Sequence, residues 1–404
     1  MTRKPELDAL RGLMLLLITV THVPTTIADR LSQPFGFVSA AEGFVFLSAF
    51  LVGGVYTKIA FDKGPSAMRR GMWGRAAVVW AWHVAMLLYL FTIIAALGMA
   101  TDQAAIKNMI SFYMQAPVTA LLTSFALIYN PPLLDILPMY VLFMLASPLA
   151  LTLGLRWRRY GWTIVFGVSL LLWVFAQFEL DRGFYAWITS KSVVVPLHQT
   201  GAFELAAWQF LWIFGLWMGS SMQAGENVDH DEIEKTKFQS TRILLLLALA
   251  IVIGCMIWRH VVGQAPFGAR ADLNLLFDKW QLGPFRLINF FAMMIVVMHF
   301  GPRVTRVRRF RFLEVLGNAS LPVFCAHLVC ALLMLALVGD KRGQMPLQHE
   351  VMILLGTVAV LYVVAFVAAK VPASKAALPK KPGPDDRRPE LVPGLVKVQS
   401  IRTE

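Results

Sequence analysis

The first apolar stretch of the chain carries three ionisable residues, Asp8, Arg11 and His22. A helix advances about 1.5 Å and 100° per residue, so Arg11 and His22 fall on nearly one face, roughly 16 Å apart along the axis. Asp8 lies one turn before Arg11 and shares that face. Because a charge at the centre of a spanning helix costs roughly 2.5–3.5 kcal/mol, this face is expected to line a polar passage or to meet a partner.

Two plainer interpretations fit the same residues. Asp8 and Arg11 could extend to the lipid headgroups as interfacial anchors, with His22 hydrogen-bonded at the end of the helix. The basic residues Arg3 and Lys4 followed by an apolar run are also typical of a secretory signal peptide. The charges at positions 8 and 11 interrupt that run, and no small-x-small cleavage site follows, which argues against a signal peptide.

The composition indicates a polytopic helical membrane protein. The 404 residues are 57% hydrophobic and 15% charged, and their mean hydropathy is +0.63. Basic cytoplasmic loops account for the net charge of +13, so the expected partner is the lipid bilayer and not nucleic acid. The three cysteines lie in apolar runs without metal-type spacing, and the eight histidines form no H-E-x-x-H pair, so no metal site is predicted.

The apolar runs predict an all-α integral membrane bundle of about ten transmembrane helices. The spans lie at about 7–27, 37–59, 76–99, 133–154, 160–178, 205–223, 242–260, 284–300, 318–338 and 350–371. Residues 115–129 are apolar but short, which favours a re-entrant or interfacial segment. A basic connection after the second span places both chain ends in the cytoplasm; it holds Lys58, Lys63, Arg69, Arg70 and Arg75. Residues 1–371 therefore form the transmembrane domain, and 372–404 are expected to be a disordered cytoplasmic tail.

On this topology, polar residues gather at the outer half of the bundle. They are His22, Glu42, Asp135, Tyr140, Glu204, Trp208, Gln209, Asp278, Lys279 and Arg286. A histidine with a pKa of about 6.5 can take the proton of a sugar hydroxyl as that oxygen attacks an acyl carbonyl. A carboxylate such as that of Glu42 can orient the ring. Serine chemistry is not indicated, because the sequence contains no G-x-S-x-G or S-x-x-K pattern.

An arginine separated by ten residues from a histidine in the first span resembles the mark of the transmembrane acyltransferase-3 superfamily. Within it, the sequence is most similar to the OpgC-like family, which succinylates osmoregulated periplasmic glucans. The stretches that carry the resemblance are residues 7–12, 22–24, 40–48, 135–140, 207–209 and 316–328. The spacing alone is a weak signal, but the set in this order is specific.

The resemblance implies a multi-pass acyltransferase (EC 2.3.1 type) of the bacterial inner membrane. Its donor substrate would be cytoplasmic acyl-CoA, with succinyl-CoA preferred, its acceptor a periplasmic glucan or other glycan, and no cofactor would be tightly bound. His22 then becomes the general base or acyl relay, assisted by Glu42, and Arg11 binds the donor or pairs with Asp8. Arg286 or Lys279 would meet the free carboxylate of a succinyl group. The full set of substrate-binding residues would be Asp8, Arg11, Asp135, Tyr140, Trp208, Gln209, Lys279, Arg286 and His327.

The sequence departs from the family pattern at two positions and leaves two other functions open. Thr21 and Ala49 stand where the family usually has an acidic residue before the histidine and a glycine after the serine. His327 also fits a packed helix with one hydrogen-bonded ring. One alternative function is O-acetylation of another surface polysaccharide. The other is a proton-coupled secondary transporter, although no inverted repeat is visible in the sequence.

Overall fold

The computed structural model describes residues 5–156, 160–180, 195–225, 240–307, 309–340 and 344–370, together with Gly183, Tyr185 and Trp187. These residues form helices and connecting turns, with no β-strand among them. The predicted tail at 372–404 lies outside the described residues, so its disorder stays a prediction. The all-α class is confirmed for the described part of the chain.

The helices follow one another with short connections. The first eight are α1 (Pro5–His22), α2 (Thr26–Leu31), α3 (Ala40–Lys63), α4 (Pro65–Tyr89), α5 (Ala95–Ala100), α6 (Ala104–Met109), α7 (Ser111–Gln115) and α8 (Pro117–Phe125). A π-helical turn, Leu90–Ile94, joins α4 to α5 without a break.

Longer helices make up most of the second half. They are α9 (Ile136–Arg156), α10 (Gly161–Gln177), α11 (Leu205–Gly225), α12 (Ser240–Val262), α13 (Ala271–Asn274), α14 (Pro284–Val307), α15 (Arg311–Asn318), α16 (Ser320–Leu337) and α17 (Leu347–Lys370). Short 3₁₀ turns at Leu197–Gln199 and Leu275–Phe277 lie in the connections before α11 and α14.

Seven of the described helical stretches are long and apolar enough to cross a bilayer. They are α3, the continuous stretch Pro65–Ala100, α9, α12, α14, α16 and α17. The other three predicted spans coincide with α1, α10 and α11. α1 contains three charged residues and α10 has only 17 residues. Each of the ten apolar runs thus forms a helix, while the number of crossings stays a prediction.

Three predicted boundaries were wrong. The basic connection after the second span is helical, because Lys58 and Lys63 lie in α3 and the three arginines lie in α4. Only Gly64, with a φ of +83°, separates these two helices. The first span ends at His22, and Ala319 interrupts the helix predicted at 318–338. Basic side chains can extend from a helix to the headgroups, so their presence does not require a loop.

The segment predicted as re-entrant forms a short helix. α8 has nine residues, which cover about 14 Å and are too few for a hydrocarbon core of about 30 Å. Pro117 is at its first turn, where a missing N–H group is tolerated. Val118 and Leu122 are exposed on its outer face.

Glycines bring two pairs of helices into backbone contact. A Cβ atom added to Gly219 of α11 would lie 1.9 Å from the carbonyl oxygen of Phe50 in α3. One added to Gly317 of α15 would lie 1.8 Å from the carbonyl oxygen of Asp8 in α1. Only hydrogen fits at these crossings, so α3 with α11 and α1 with α15 form the tightly packed centre of the bundle. By contrast, α12 packs on α14 through a small cluster that includes Ala248, and it is otherwise exposed.

Candidate functional site between α1 and α16

The end of α1 and the middle of α16 bring two histidines together. Nδ1 of His22 lies 3.0 Å from Nε2 of His327, and the two rings stack with their centroids 5.2 Å apart. His327 is buried, with 1% of its surface exposed, and Phe324 packs edge-on against it at 4.7 Å. One ring nitrogen donates and the other accepts, so the tautomers of the two rings depend on each other. The sequence placed His327 in the site, but not as the hydrogen-bond partner of His22.

Arg11 contacts the same helix that carries His327. Its Nη2 donates a hydrogen bond to Oγ of Ser320, which lies seven residues before His327 and therefore on the same face of α16. The Nε atom of Arg11 is buried and has no hydrogen-bond partner among the described residues. Asp8 lies close enough to Arg11 for its carboxylate to interact electrostatically with the guanidinium group. The predicted common face of Arg11 and His22 is therefore turned toward α16, as the helical spacing indicated.

A narrow cavity opens beside Arg11. Its lining is mostly apolar, with polar groups at separate points: Arg11, Phe44, Val45, Ser48, Arg75, Val79, Ile136, Leu137, Met139, Tyr140, Phe143, Trp212, Ser320, Leu321 and Phe324. Arg75 makes no hydrogen bond to the described residues, and it is half-buried in α4. Phe324 touches both the cavity and His327, so one aromatic ring separates Arg11's cavity from the histidine pair.

Glu42 is bound to Arg286 in a buried ion pair. Oε1 of Glu42 contacts Nη1 of Arg286, with 0% and 3% of their side chains exposed. The other carboxylate oxygen accepts hydrogen bonds from the backbone N–H and hydroxyl groups of Ser39, at 3.0 and 2.5 Å, which caps α3. Glu42 was predicted to assist His22, but no direct contact joins these two side chains, because the ring of His22 is hydrogen-bonded to His327.

The loop before α14 holds Lys279 at the same end of the bundle. Three side chains from α10 and α11 donate hydrogen bonds to its carbonyl oxygens, namely Trp173 to Leu282 at 3.1 Å, Gln177 to Gln281 at 2.7 Å and Trp208 to Trp280 at 3.0 Å. Nε of Arg286 also donates to the carbonyl oxygen of Phe277 at 3.3 Å. The loop is therefore anchored from two sides, and Trp208 and Arg286 serve this anchoring.

Lys279 has no ion-pair partner among the described residues. Its Nζ lies 4.6 Å from the ring centroid of Trp280 and 5.8 Å from that of Phe203, so two aromatic faces shield it. Burial lowers the pKa of Lys279, and the nearby carboxylates Glu42 and Asp135 oppose that change. Lys279 also lies within electrostatic range of His22. The charge of Lys279 thus acts on both His22 and Asp135.

Asp135 lies at the start of α9, next to a turn from another part of the chain. Its Oδ2 accepts a hydrogen bond from the backbone N–H group of Ala202 at 3.1 Å. Burial raises the pKa of Asp135 to about 6, although Ala202 and the charge of Lys279 partly oppose this shift.

Two other predicted residues have packing contacts. Tyr140 lines the cavity of Arg11 and packs edge-on against Trp212 at 5.0 Å. Gln209 lies in a different place, where it exchanges hydrogen bonds with Ser169 of α10. The structure therefore assigns Gln209 to helix packing. Ser320 and Arg75 were missed; Ser320 could have been found from its spacing of one heptad before His327.

Metal ligands do not cluster in the described part of the chain: no group of three or more His, Cys, Asp or Glu side chains lies close enough to hold an ion.

The fold and the site define a multi-pass helical membrane protein that holds an ionisable site between its helices. Residues 3–373 match the family model described as OpgC protein. The chain belongs to this family, and membership points to a glucan acyltransferase-like function in a membrane. No curated protein and no solved structure matches the chain.

Proposed function

We propose that this protein transfers an acyl group, preferentially succinyl, from cytoplasmic acyl-CoA to a hydroxyl of a periplasmic glucan, with His22 as general base. The observation that carries the proposal is the hydrogen-bonded pair of His22 and His327 at the far end of the helix that carries Arg11. Family membership supports the reaction class. The proposal includes the bacterial inner membrane as location, ten crossings and both chain ends in the cytoplasm.

The base needs one free ring nitrogen. With Nδ1–H of His22 donating to Nε2 of His327, the lone pair on Nε2 of His22 is free to accept the proton of the sugar hydroxyl. The hydroxyl oxygen attacks the thioester carbonyl, a C–O bond forms, and the C–S bond breaks. The coenzyme A thiolate then takes the proton from His22, which restores the neutral ring. His327 positions the base in the role that the sequence assigned to Glu42.

The cavity of Arg11 suits the donor. Arg11 and Arg75 are the two cations in its wall, and Nε of Arg11 has no partner in the described structure. Guanidinium groups bind phosphate and carbonyl oxygens through forked hydrogen bonds. The roughly 16 Å between Arg11 and His22 is comparable to the length of an extended pantetheine arm. An arm that lies along α1 would have to pass Phe324 to place its thioester beside His22.

The free carboxylate of a succinyl group fits Lys279. Arg286 already carries the charge of Glu42, so binding a second carboxylate there would break a buried ion pair. Lys279 has aromatic neighbours and no ion-pair partner in the described residues. Acetyl has no such carboxylate, so Lys279 is the residue that would separate succinyl transfer from acetyl transfer.

Two variants test the proposal. His22→Ala should lower the transfer rate by roughly 100-fold or more, because general base catalysis contributes about 10²–10⁴-fold. Lys279→Met should raise the KM for succinyl-CoA at least ten-fold and leave that for acetyl-CoA nearly unchanged. Lys107→Met is the matched control, since Lys107 pairs with exposed Asp102 on the surface. The readouts are the mass and charge of glucans made in nanodiscs.

Three outcomes contradict the proposal. Full acyl transfer by a folded His22→Ala variant would refute the role of His22 as general base. Equal effects of Lys279→Met on succinyl-CoA and acetyl-CoA would refute the preference for succinyl. Movement of a solute across proteoliposomes without consumption of acyl-CoA would favour the transporter.

A further inference from the structure

A second cavity lies at the start of α9, where Asp135 is part of its wall. It has a volume of about 160 Å³, enough for a ligand much larger than one water molecule. The polar residues in its wall are Asn108, Asn130, Asp135, His198 and Gln199. They come from three separate parts of the chain.

Asn130, one of the residues in this wall, has an unsatisfied hydrogen-bond acceptor. Its Nδ2 atom donates to three carbonyl oxygens, those of Thr200 at 2.7 Å, Leu127 at 3.3 Å and Ile128 at 3.4 Å. These contacts fix which end of the amide is nitrogen, since a flipped amide would set oxygen against oxygen. The opposite atom, Oδ1, is buried and has no partner among the described residues. A buried acceptor of this kind costs about 1–3 kcal/mol until a donor binds it.

The other polar groups in the wall indicate which class of ligand would fit the cavity. Asp135 presents a second acceptor, and the amides of Asn108 and Gln199 can both donate and accept. An anionic ligand would meet the carboxylate of Asp135 with the wrong charge. Hydroxyl groups both donate and accept, so a neutral, hydroxyl-rich sugar unit matches the wall.

The backbone of the wall is held in conformations that favour glycine. Gly201 has a φ of +108°, and a Cβ atom there would lie 3.2 Å from Cβ of Asp135 and 3.3 Å from Cβ of Asn130. Leu127 and Leu133 also have positive φ values, of 64° and 72°. A positive φ at a leucine costs roughly 1–3 kcal/mol, and backbone strain of this kind is concentrated at binding and active sites.

The cavity is connected to the reacting groups through two residues. Asp135 lines it, while the next residue, Ile136, lines the cavity of Arg11. Ala202 also lines it, and the next residue, Phe203, packs against Lys279. We infer that this cavity binds a neutral sugar unit of the acceptor chain and so presents a neighbouring hydroxyl to the base. This inference rests on the proposed function.

Two variants change the cavity without removing the catalytic groups. Ala202→Leu fills the space from an exposed rim position and keeps the backbone N–H group that Asp135 accepts. Gln199→Ala removes one side-chain amide and keeps the carbonyl oxygen that Asn130 contacts. Ala269→Leu is the control, because Ala269 is exposed and outside the cavity wall.

The experiment measures binding of a neutral gluco-oligosaccharide to the full chain in nanodiscs by titration calorimetry, and the KM for the same sugar at saturating donor. Both cavity variants should weaken binding and raise KM at least ten-fold, with acyl-CoA binding unchanged as the evidence of folding. Unchanged sugar binding in both variants would overturn the inference, as would no sugar binding by the wild type. Binding that the variants abolish, without any acyl transfer by the wild type, would support the cavity and refute the proposed function.

Discussion

Glu42→Gln tests the buried ion pair that joins α3 to α14. Glu42 and Arg286 are 0% and 3% exposed, so removing the negative charge leaves a guanidinium group buried beside a neutral amide. Breaking one partner of a buried pair costs about 3–5 kcal/mol. The amide oxygen of glutamine can still accept from Ser39, so the helix cap, worth about 1 kcal/mol, is retained. We therefore expect a loss of about 3–5 kcal/mol in the free energy of unfolding.

The assay is reversible unfolding in mixed micelles with increasing SDS, followed by tryptophan fluorescence. The double variant Glu42→Gln with Arg286→Met should recover at least half of the loss, because neither charge then remains buried alone. Lys58→Met is the control: Lys58 lies 3.9 Å from Asp62 with both side chains more than half exposed, and its loss should cost less than about 1 kcal/mol. A loss below about 1 kcal/mol for Glu42→Gln, or single losses that simply add in the double variant, would refute the reasoning.

Three further predictions concern packing, pH and the base. Gly317→Ala should prevent folding or cost several kcal/mol of unfolding free energy, because its Cβ would lie 1.8 Å from a backbone oxygen. The control is Gly356→Ala, which should be neutral in the same unfolding assay because no atom lies within 4 Å of its added Cβ. Burial raises the pKa of Asp135 from 3.8 to about 6. The protonated carboxyl group therefore stabilises the fold by on the order of 3 kcal/mol below about pH 4, and this contribution is lost as the pH rises through 6. Unfolding at pH 4 and 7 should show that Asp135→Asn removes this dependence. His327→Ala should lower kcat roughly ten-fold or more with little change in the KM for acyl-CoA, measured by steady-state kinetics; an unchanged kcat would contradict its positioning role.

The sequence predicted the helices and the shared face of α1 because both follow from local periodicity. Ten apolar runs formed ten helices, and Arg11 and His22 meet one neighbouring helix. The partners of the charged residues were not predictable in this way. Glu42 and Arg286 are 244 positions apart, and no local spacing distinguishes that pairing from a contact with His22. Arg75 was assigned to a loop because basic residues mark cytoplasmic connections, yet the helix continues through it.

The anchoring of the Lys279 loop links this loop to α10. α10 exposes Val168 and Leu171 to its surroundings, while Trp173 and Gln177 bind the loop carbonyls. Its 17 residues measure about 26 Å, less than a hydrocarbon core of about 30 Å. If α10 crosses the bilayer as proposed, a thicker membrane increases this mismatch, which a short helix relieves by thinning the bilayer around it or by extending its flanking residues to the headgroups. Strain at the end of α10 would then reach the loop of Lys279 through Trp173 and Gln177. If Lys279 binds the succinyl carboxylate as proposed, the acyl-chain length of the host lipid would change the KM for succinyl-CoA.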